Sequence, residues 1–408
     1  MKKWREIPLM YKMLGALILG LIAGLVFKEK VVYIQFIGTL FMKLLQMAAL
    51  PLIFFSLIAG IAALDDPKLL GRIGLKIMIY YVGTTVFAAT IGYLGATLFK
   101  PGIGLELTSD YVAEEAVMSP IMDTLLGMIP TNIFGALSSG TLVAAIVFGT
   151  FAGIAIVLLK DSEVKRRLRQ GLQDISEMLQ RMVEMVMGLA PFGVFALIAN
   201  TVGSNGSTVI GFLAKYAGTL YACLLVMVIL YTCLVLLFTH ISPGKFLKKA
   251  LPSFITAGST CSSLASMPMN LKTAASFGLP RDIYGFTIPL GAQINKDGTA
   301  ILITTACIAA GQAAGMTMEL GEVIQLIATV LIITTGIAGV AGGTVVLLTL
   351  FTTTFGFPSE VAAIIMGGFA ILEMGITASN IVGDLAGTVI VAYPECKDSE
   401  EFKEAMRK

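Results

Sequence analysis

Two apolar stretches in the C-terminal half constrain this chain most. Residues 284–315 and 362–392 are each long enough to cross a bilayer, which takes about 20 apolar residues. Both are interrupted by polar groups at mid-depth. The first contains Asn295-Lys296-Asp297-Gly298-Thr299. The second contains Glu373 and then Asn380-Ile381-Val382-Gly383-Asp384. An ionisable side chain at that depth costs about 2.5–3.5 kcal/mol on insertion scales, so it is retained where it is paired or holds an ion. The two segments read as broken helices that form the solute and cation site of a secondary transporter.

Composition agrees with a polytopic membrane protein. Hydrophobic residues make up 56% and charged residues 13%, against about 25% charged in soluble domains. A net charge of +2 gives no case for nucleic acid as a partner. The cysteines (Cys223, Cys233, Cys261, Cys307, Cys396) are scattered and lack metal-type spacing, so they read as packing residues. The single histidine, His240, leaves no basis for histidine catalysis. The N-terminal MKKWRE leads into an apolar run with no small-residue cleavage site, and is expected to precede a retained first helix rather than to belong to a signal peptide.

Along the N-terminal half the spans are expected at 10–27, 31–64 (tilted or kinked at Pro51) and 73–99. The third carries a polar cluster, Tyr80-Tyr81-Val82-Gly83-Thr84-Thr85. Residues 120–159 are broken by Pro130, Asn132 and Gly140, so several short helices are expected there. An amphipathic helix from Glu163 runs into the apolar stretch 182–202, with a kink at Pro191. A sixth span covers 209–237. Basic loops after the second, fourth and sixth spans place the N-terminus and those loops in the cytoplasm, although Lys28 and Lys30 oppose this. The expected location is the plasma (inner) membrane, surrounded by lipid, with both termini cytoplasmic.

Residues 251–279 centre on Gly258-Ser259-Thr260-Cys261-Ser262-Ser263, and a run of small polar residues cannot face lipid. A helical hairpin that enters from the cytoplasm and turns at the serines fits. Residues 324–355 repeat the pattern from the other side, around Gly336, Gly339, Gly342 and Gly343. The C-terminal half therefore reads as hairpin, broken helix, hairpin, broken helix, an inverted-repeat arrangement.

Asn295, Asp297, Asn380 and Asp384 offer oxygens for a hard monovalent cation, and Thr84 and Thr85 could complete a site. The alternative is that the aspartates cap half-helices or pair with Lys296. Lys296 is either a tethered cation or a proton carrier; a side chain snorkelling to water is the plainer option. Glu373, two turns before Asn380, could receive a substrate ammonium, or be protonated because desolvation disfavours its charge. The Ser262-Ser263 tip suits a carboxylate, or serves as a plain helix cap.

Four pieces of the sequence resemble the glutamate transporter family, the dicarboxylate/amino acid:cation symporters. Asn295 to Thr299 is similar to its Asn-Met-Asp-Gly-Thr motif. Cys261-Ser262-Ser263 through Pro268 is similar to the serine-rich hairpin tip, Gly336 to Gly343 to the glycine-rich tip, and Asn380 to Thr388 to the last-helix signature. The resemblance implies an all-α polytopic membrane protein with eight transmembrane helices, two re-entrant hairpins and inverted repeats, assembled as a homotrimer. It implies a static scaffold from residues 1–70 and 101–205, and an elevator-like transport core from 71–100 and 206–396, with 397–408 as a cytoplasmic tail. It assigns one sodium site to Gly291, Asn295, Asn380 and Asp384. A second falls to Tyr81, Thr84, Thr85, Asn295 and Asp297, and a third to backbone at Thr334, Thr335 and Ile337. Substrate contacts are implied for Ser262, Ser263, Thr299, Val340, Gly343, Glu373, Ile376, Thr377 and Asn380.

Two departures stand out. Members of that family that take acidic substrates carry arginine where this chain has Ile376, so no guanidinium is available to clamp a side-chain carboxylate. Lys296 replaces the motif methionine, where it bears on ion coupling. A symporter for a neutral amino acid, coupled to sodium or to protons, is expected. The rivals are a proton-coupled or sodium-independent exchanger, a carrier of amine-free carboxylates, and a channel or receptor. No nucleophile–base pair points to an enzyme.

Overall fold

The computed structural model describes residues 9–62, 73–105, 129–138, 142–206, 208–316, 318–334, 348 and 359–407. Among them every regular element is helical, as expected. The first apolar run forms α1 (Leu9–Phe27), and a 3-10 segment (Lys28–Ile34) leads to α2 (Gln35–Ala62), which continues through Pro51. After α3 (Leu75–Phe99), the Pro- and Gly-broken region supplies the short helix α4 (Ile133–Ser138) and α5 (Leu142–Leu158). The amphipathic stretch is α6 (Glu163–Met187). It ends at Gly188–Leu189, and α7 (Ala190–Asn205) starts afresh with Pro191 in its first turn, where a missing N–H costs nothing. α8 (Thr208–Thr239) is the sixth span.

α1, α2, α5, α6 and α7 pack on one another. The most extensive packing is between α1 and α7, and the spacing of Gly20 and Gly24 explains it. A methyl group on either would lie 2.9 Å from Phe195 O or 2.7 Å from Ala199 O. Small residues four apart let two backbones meet.

The C-terminal half follows the expected hairpin order at its start. α9 (Pro243–Thr260) and α10 (Ser263–Ser276) are the arms of the first hairpin, so Lys245, Lys248 and Lys249 belong to its first arm rather than to a connecting loop. α11 (Arg281–Ile294) and α12 (Asp297–Ala313) are the two halves of the first broken segment, and α13 (Leu320–Thr334) lies where the first arm of the second hairpin is expected. Thr335, Ile337, Val340 and Gly343 lie outside the described residues, as does the glycine-rich tip expected there.

The second segment departs from expectation. The chain turns at Gly368, between α14 (Ser359–Gly367) and α15 (Phe369–Cys396), and α15 runs unbroken through Asn380 to Asp384. Polar side chains do not by themselves unwind a helix. Glu373, Thr377, Asn380, Asp384 and Thr388 recur at helical spacing and lie on one face, so an intact helix can present them all. The charged C-terminal stretch also forms structure, as α16 (Glu400–Arg407). Its Phe402 is buried and packs edge-on against Tyr393, and the Lys245 ammonium donates to Met406 O.

Among the described residues, three helices are long and apolar enough to cross a membrane: Leu75–Phe99, Thr208–Thr239 and Ile371–Cys396. They differ in surroundings. The apolar window of Ile371–Cys396 is 89% buried, against 39% for each of the other two. Leu75, Ile79, Val82, Val86, Leu94 and Leu98 leave one face of α3 apolar and exposed, and Leu225, Ile229, Leu236 and Leu237 do so for α8. Surfaces of this kind suit lipid. α15 is the interior helix on which α8, α9, α11 and α12 pack.

Candidate functional site

The site is built where the break in the first segment meets the polar face of α15. α11 ends with Asn295 N–H bonded to Gly291 O (2.8 Å). Asn295 is then extended (φ −77, ψ 110), Lys296 also leaves the helix (φ −133, ψ 42), and α12 begins at Asp297. The first turn of α12 therefore carries a carboxylate, on the side where helix dipoles favour negative charge.

Asn295 is fully buried, and its Nδ2 donates to Asn380 O (3.2 Å) and to Asp384 Oδ1 (2.9 Å). Gly298 N–H donates to Asn380 Oδ1 (2.7 Å). Gly291, Asn295, Asn380 and Asp384 are thus brought together as the resemblance implies. Two of their oxygens, Asn295 Oδ1 and Asp384 Oδ2, are buried with no hydrogen-bond donor. Gly383 permits the approach: a methyl group there would lie 2.7 Å from both Asn295 Nδ2 and Tyr231 OH.

The second group is also assembled, but both Asp297 oxygens are already engaged. Thr85 Oγ1 donates to Asp297 Oδ1 (2.7 Å), and Tyr231 OH donates to Asp297 Oδ2 (2.6 Å). Thr84 Oγ1 donates to Tyr81 O (3.2 Å). Tyr81, Thr84, Thr85 and Asp297 are all buried. Tyr231 is the residue that sequence reasoning missed. The available signal was a tyrosine inside an apolar span, whose hydroxyl needs a partner once buried. Tyr80 was noted only as part of a polar cluster; its hydroxyl donates to Gly383 O (3.3 Å).

Lys296 is 4% exposed, so it does not snorkel to water. Its ammonium donates to Ala292 O (2.5 Å), at the end of α11. Glu373 is 6% exposed, and its Oε1 accepts from Thr377 Oγ1 (3.2 Å). Ile376 and Thr299 are buried close by, with Ile376 O lying over Gly298.

At the first hairpin tip, Cys261 adopts the left-handed conformation (φ 50). Ser262 caps α10 by accepting Ala265 N–H at its Oγ (3.3 Å), so the capping role weighed for this tip is present. Ser263 is buried in the first turn of α10. One turn earlier, Gly258 faces Met374 O and Ala378, which sets the tip against the stretch of α15 that carries Glu373 and Thr377. Thr334, at the end of α13, is buried with its hydroxyl donating to Val330 O (2.7 Å).

The donors at the break are carboxylate, amide, hydroxyl and carbonyl oxygens. Among the described residues no group of His, Cys, Asp and Glu has the makings of a transition-metal site. Oxygen sets of this kind suit hard cations.

Comparison with known proteins agrees with this chemistry. The model of the sodium:dicarboxylate symporter family matches residues 9–393. A proton/sodium-glutamate symport protein of Bacillus caldotenax is 32% identical, covering 97% of both chains. A proton/glutamate-aspartate symporter of Escherichia coli (strain K12) is 32% identical, over 88% of this chain and 85% of that one. A C4-dicarboxylate transport protein of Laribacter hongkongensis is 28% identical, over 97% of this chain and 91% of its own. An all-helical fold with lipid-suited faces, a buried oxygen-rich break and a match across nearly the whole length lead to one conclusion: this chain is a membrane transporter, not an enzyme, and belongs to the sodium:dicarboxylate symporter family.

Proposed function

We propose that the protein is a secondary active symporter for a small neutral amino acid, coupled to a cation, with sodium the first candidate. The observation that carries the cation is the pair of buried acceptors without a donor, Asn295 Oδ1 and Asp384 Oδ2. Leaving such oxygens unmet costs about 1–3 kcal/mol each, and more for a charged group. A monovalent cation between them meets both.

Ile376 and Glu373 support the neutral substrate. Ile376 is fully buried at the position that resembles the arginine of acidic-substrate carriers. Glu373 supplies a negative charge suited to an α-ammonium, and the Ser262-Ser263 tip would take the α-carboxylate. In this reading Thr299, Ile376, Thr377 and Asn380 complete the pocket from the core side, and Val340 and Gly343 from the second hairpin. The second cation group (Tyr81, Thr84, Thr85, Asn295, Asp297) opens when an ion enters, and backbone at Thr334, Thr335 and Ile337 forms a third.

The same reading extends to assembly and movement. The mutual packing of α1, α2, α5, α6 and α7 supports a static scaffold (1–70 and 101–205), which the family resemblance assembles as a homotrimer. The packing of α3, α8, α9, α11 and α12 about α15 supports a moving core (71–100 and 206–396) that works as an elevator. The basic residues that follow the second, fourth and sixth spans in the sequence support cytoplasmic termini in a plasma or inner membrane.

A thermal-shift screen of purified protein tests the function. A ligand of the folded state stabilises by RT ln(1 + [L]/Kd), about 2.7 kcal/mol at one hundred times Kd. Small neutral amino acids should stabilise in the presence of sodium and much less without it. Stabilisation by glutamate or succinate, with none by neutral amino acids, would overturn the substrate assignment. That outcome would favour a carboxylate carrier, the reading suggested by the C4-dicarboxylate relative. Uptake driven by a pH gradient in sodium-free proteoliposomes would move the coupling to protons.

A further inference from the structure

Lys296 has a place in the geometry that ion coupling to oxygen ligands alone does not use. α11 stops at Ile294, and its last carbonyls lose the amide partners a continuing helix would provide. Gly291 O keeps one, from Asn295 N–H. Ala292 O, the next acceptor, receives the Lys296 ammonium instead, at 2.5 Å. The C-terminal end of a helix carries partial negative charge. In transporters built from broken helices such ends, with unwound carbonyls, are where coupling cations sit. The ammonium is buried. Asp297, on the other side of the break, is held by Thr85 and Tyr231.

We propose that Lys296 is a tethered cation that permanently fills one cation position at the C-terminal end of α11, so that the protein carries one ion fewer per substrate than it would with a neutral residue there. This rests on the cation-symport reading above and adds its stoichiometry. The ammonium travels with the core in both the loaded and the empty state, so it balances carboxylate charge without contributing to net charge movement.

Two neutral variants separate charge from capping. Lys296→Met removes both the charge and the donor to Ala292 O. Lys296→Gln removes the charge and keeps an N–H donor. Two quantities are read on full-length protein: the steepness of the sodium dependence of binding, using the neutral amino acid that best stabilises wild type, and the charge moved per substrate in proteoliposomes. The expected result is that both variants need one more sodium ion than wild type, with a Hill slope higher by about one and one additional charge moved per substrate. Lys296→Arg should keep the wild-type values. Sodium-dependent binding in wild type with the same slope and charge in both neutral variants overturns this inference alone, and a loss of thermal stability in Lys296→Met without such a change reduces Lys296 to a helix cap. No sodium dependence in any of the proteins overturns both this inference and the sodium reading beneath it.

Discussion

The two polar-interrupted segments look alike in sequence and behave differently in the fold. The first opens at Asn295 and Lys296 and turns its backbone into part of the site. The second stays helical from Phe369 to Cys396 and presents its carboxylates and amide from one face, with Asn380 O and Gly383 O also accepting hydrogen bonds. Their carboxylates differ in the same way. Asp297, at the break, has each oxygen met by a hydroxyl from another helix, α3 or α8. Asp384, on the intact helix, has one oxygen met by Asn295 and the other open. A broken helix gains backbone groups but needs neighbours to hold it. An intact helix is already held, and can leave a charged oxygen free for a ligand.

That contrast can be broken by experiment. The largest effect is expected from Asp384→Asn, which removes the charge from the open position. Sodium affinity, followed by thermal shift, should fall on the order of 100-fold; wild-type sodium affinity in this variant would end the assignment of the open oxygen to a cation. Gly383→Ala comes next. Its methyl group meets Asn295 Nδ2 and Tyr231 OH at 2.7 Å, and overpacking of this kind costs about 1–3 kcal/mol. A melt of the detergent-solubilised protein should show that loss together with weaker sodium binding.

Tyr231→Phe tests the other carboxylate. With one Asp297 oxygen left without its donor, stability should drop by about 1–3 kcal/mol, while sodium affinity changes less than in Asp384→Asn. If Tyr231→Phe weakened sodium binding more than Asp384→Asn, the two carboxylates would have to exchange roles. The smallest effect is expected from Thr287→Val. Thr287 and Thr388 share a 2.8 Å hydrogen bond that joins α11 to α15. Its loss should cost about 1 kcal/mol, read as a small fall in melting temperature with sodium binding retained.

Much of the fold could be read from the chain. Apolar length marked α1, α3 and α8, and where a kink is expected at Pro191 the helix ends at Gly188–Leu189 and restarts. The serine run located the turn of the first hairpin to within a residue or two, because small residues in the left-handed or capping conformation end a helix locally. The same reasoning overreached at Asn380 to Asp384. Polar residues and a glycine within an apolar helix are also what a helix needs in order to face a polar interior, and only the neighbours decide which is meant. The charged C-terminal stretch is a similar case. Nothing local to it announces that Phe402 will be buried beside Tyr393.

The site divides along the same line. By itself the sequence determined that carboxylates, amides and hydroxyls lie at mid-depth in apolar helices, that an arginine is absent at Ile376, and that a lysine stands between Asn295 and Asp297. Those are chemical identities, and burial in a low dielectric makes them consequential wherever the chain folds as helices. Only the tertiary structure decided which carboxylate oxygens are already met and which are open, because that depends on Thr85, Tyr231 and Asn295, each reaching across from another segment of the chain. It also decided that the Lys296 ammonium turns back to Ala292 O at the end of its own half-helix, a choice set by the two residues of backbone that leave the helix there.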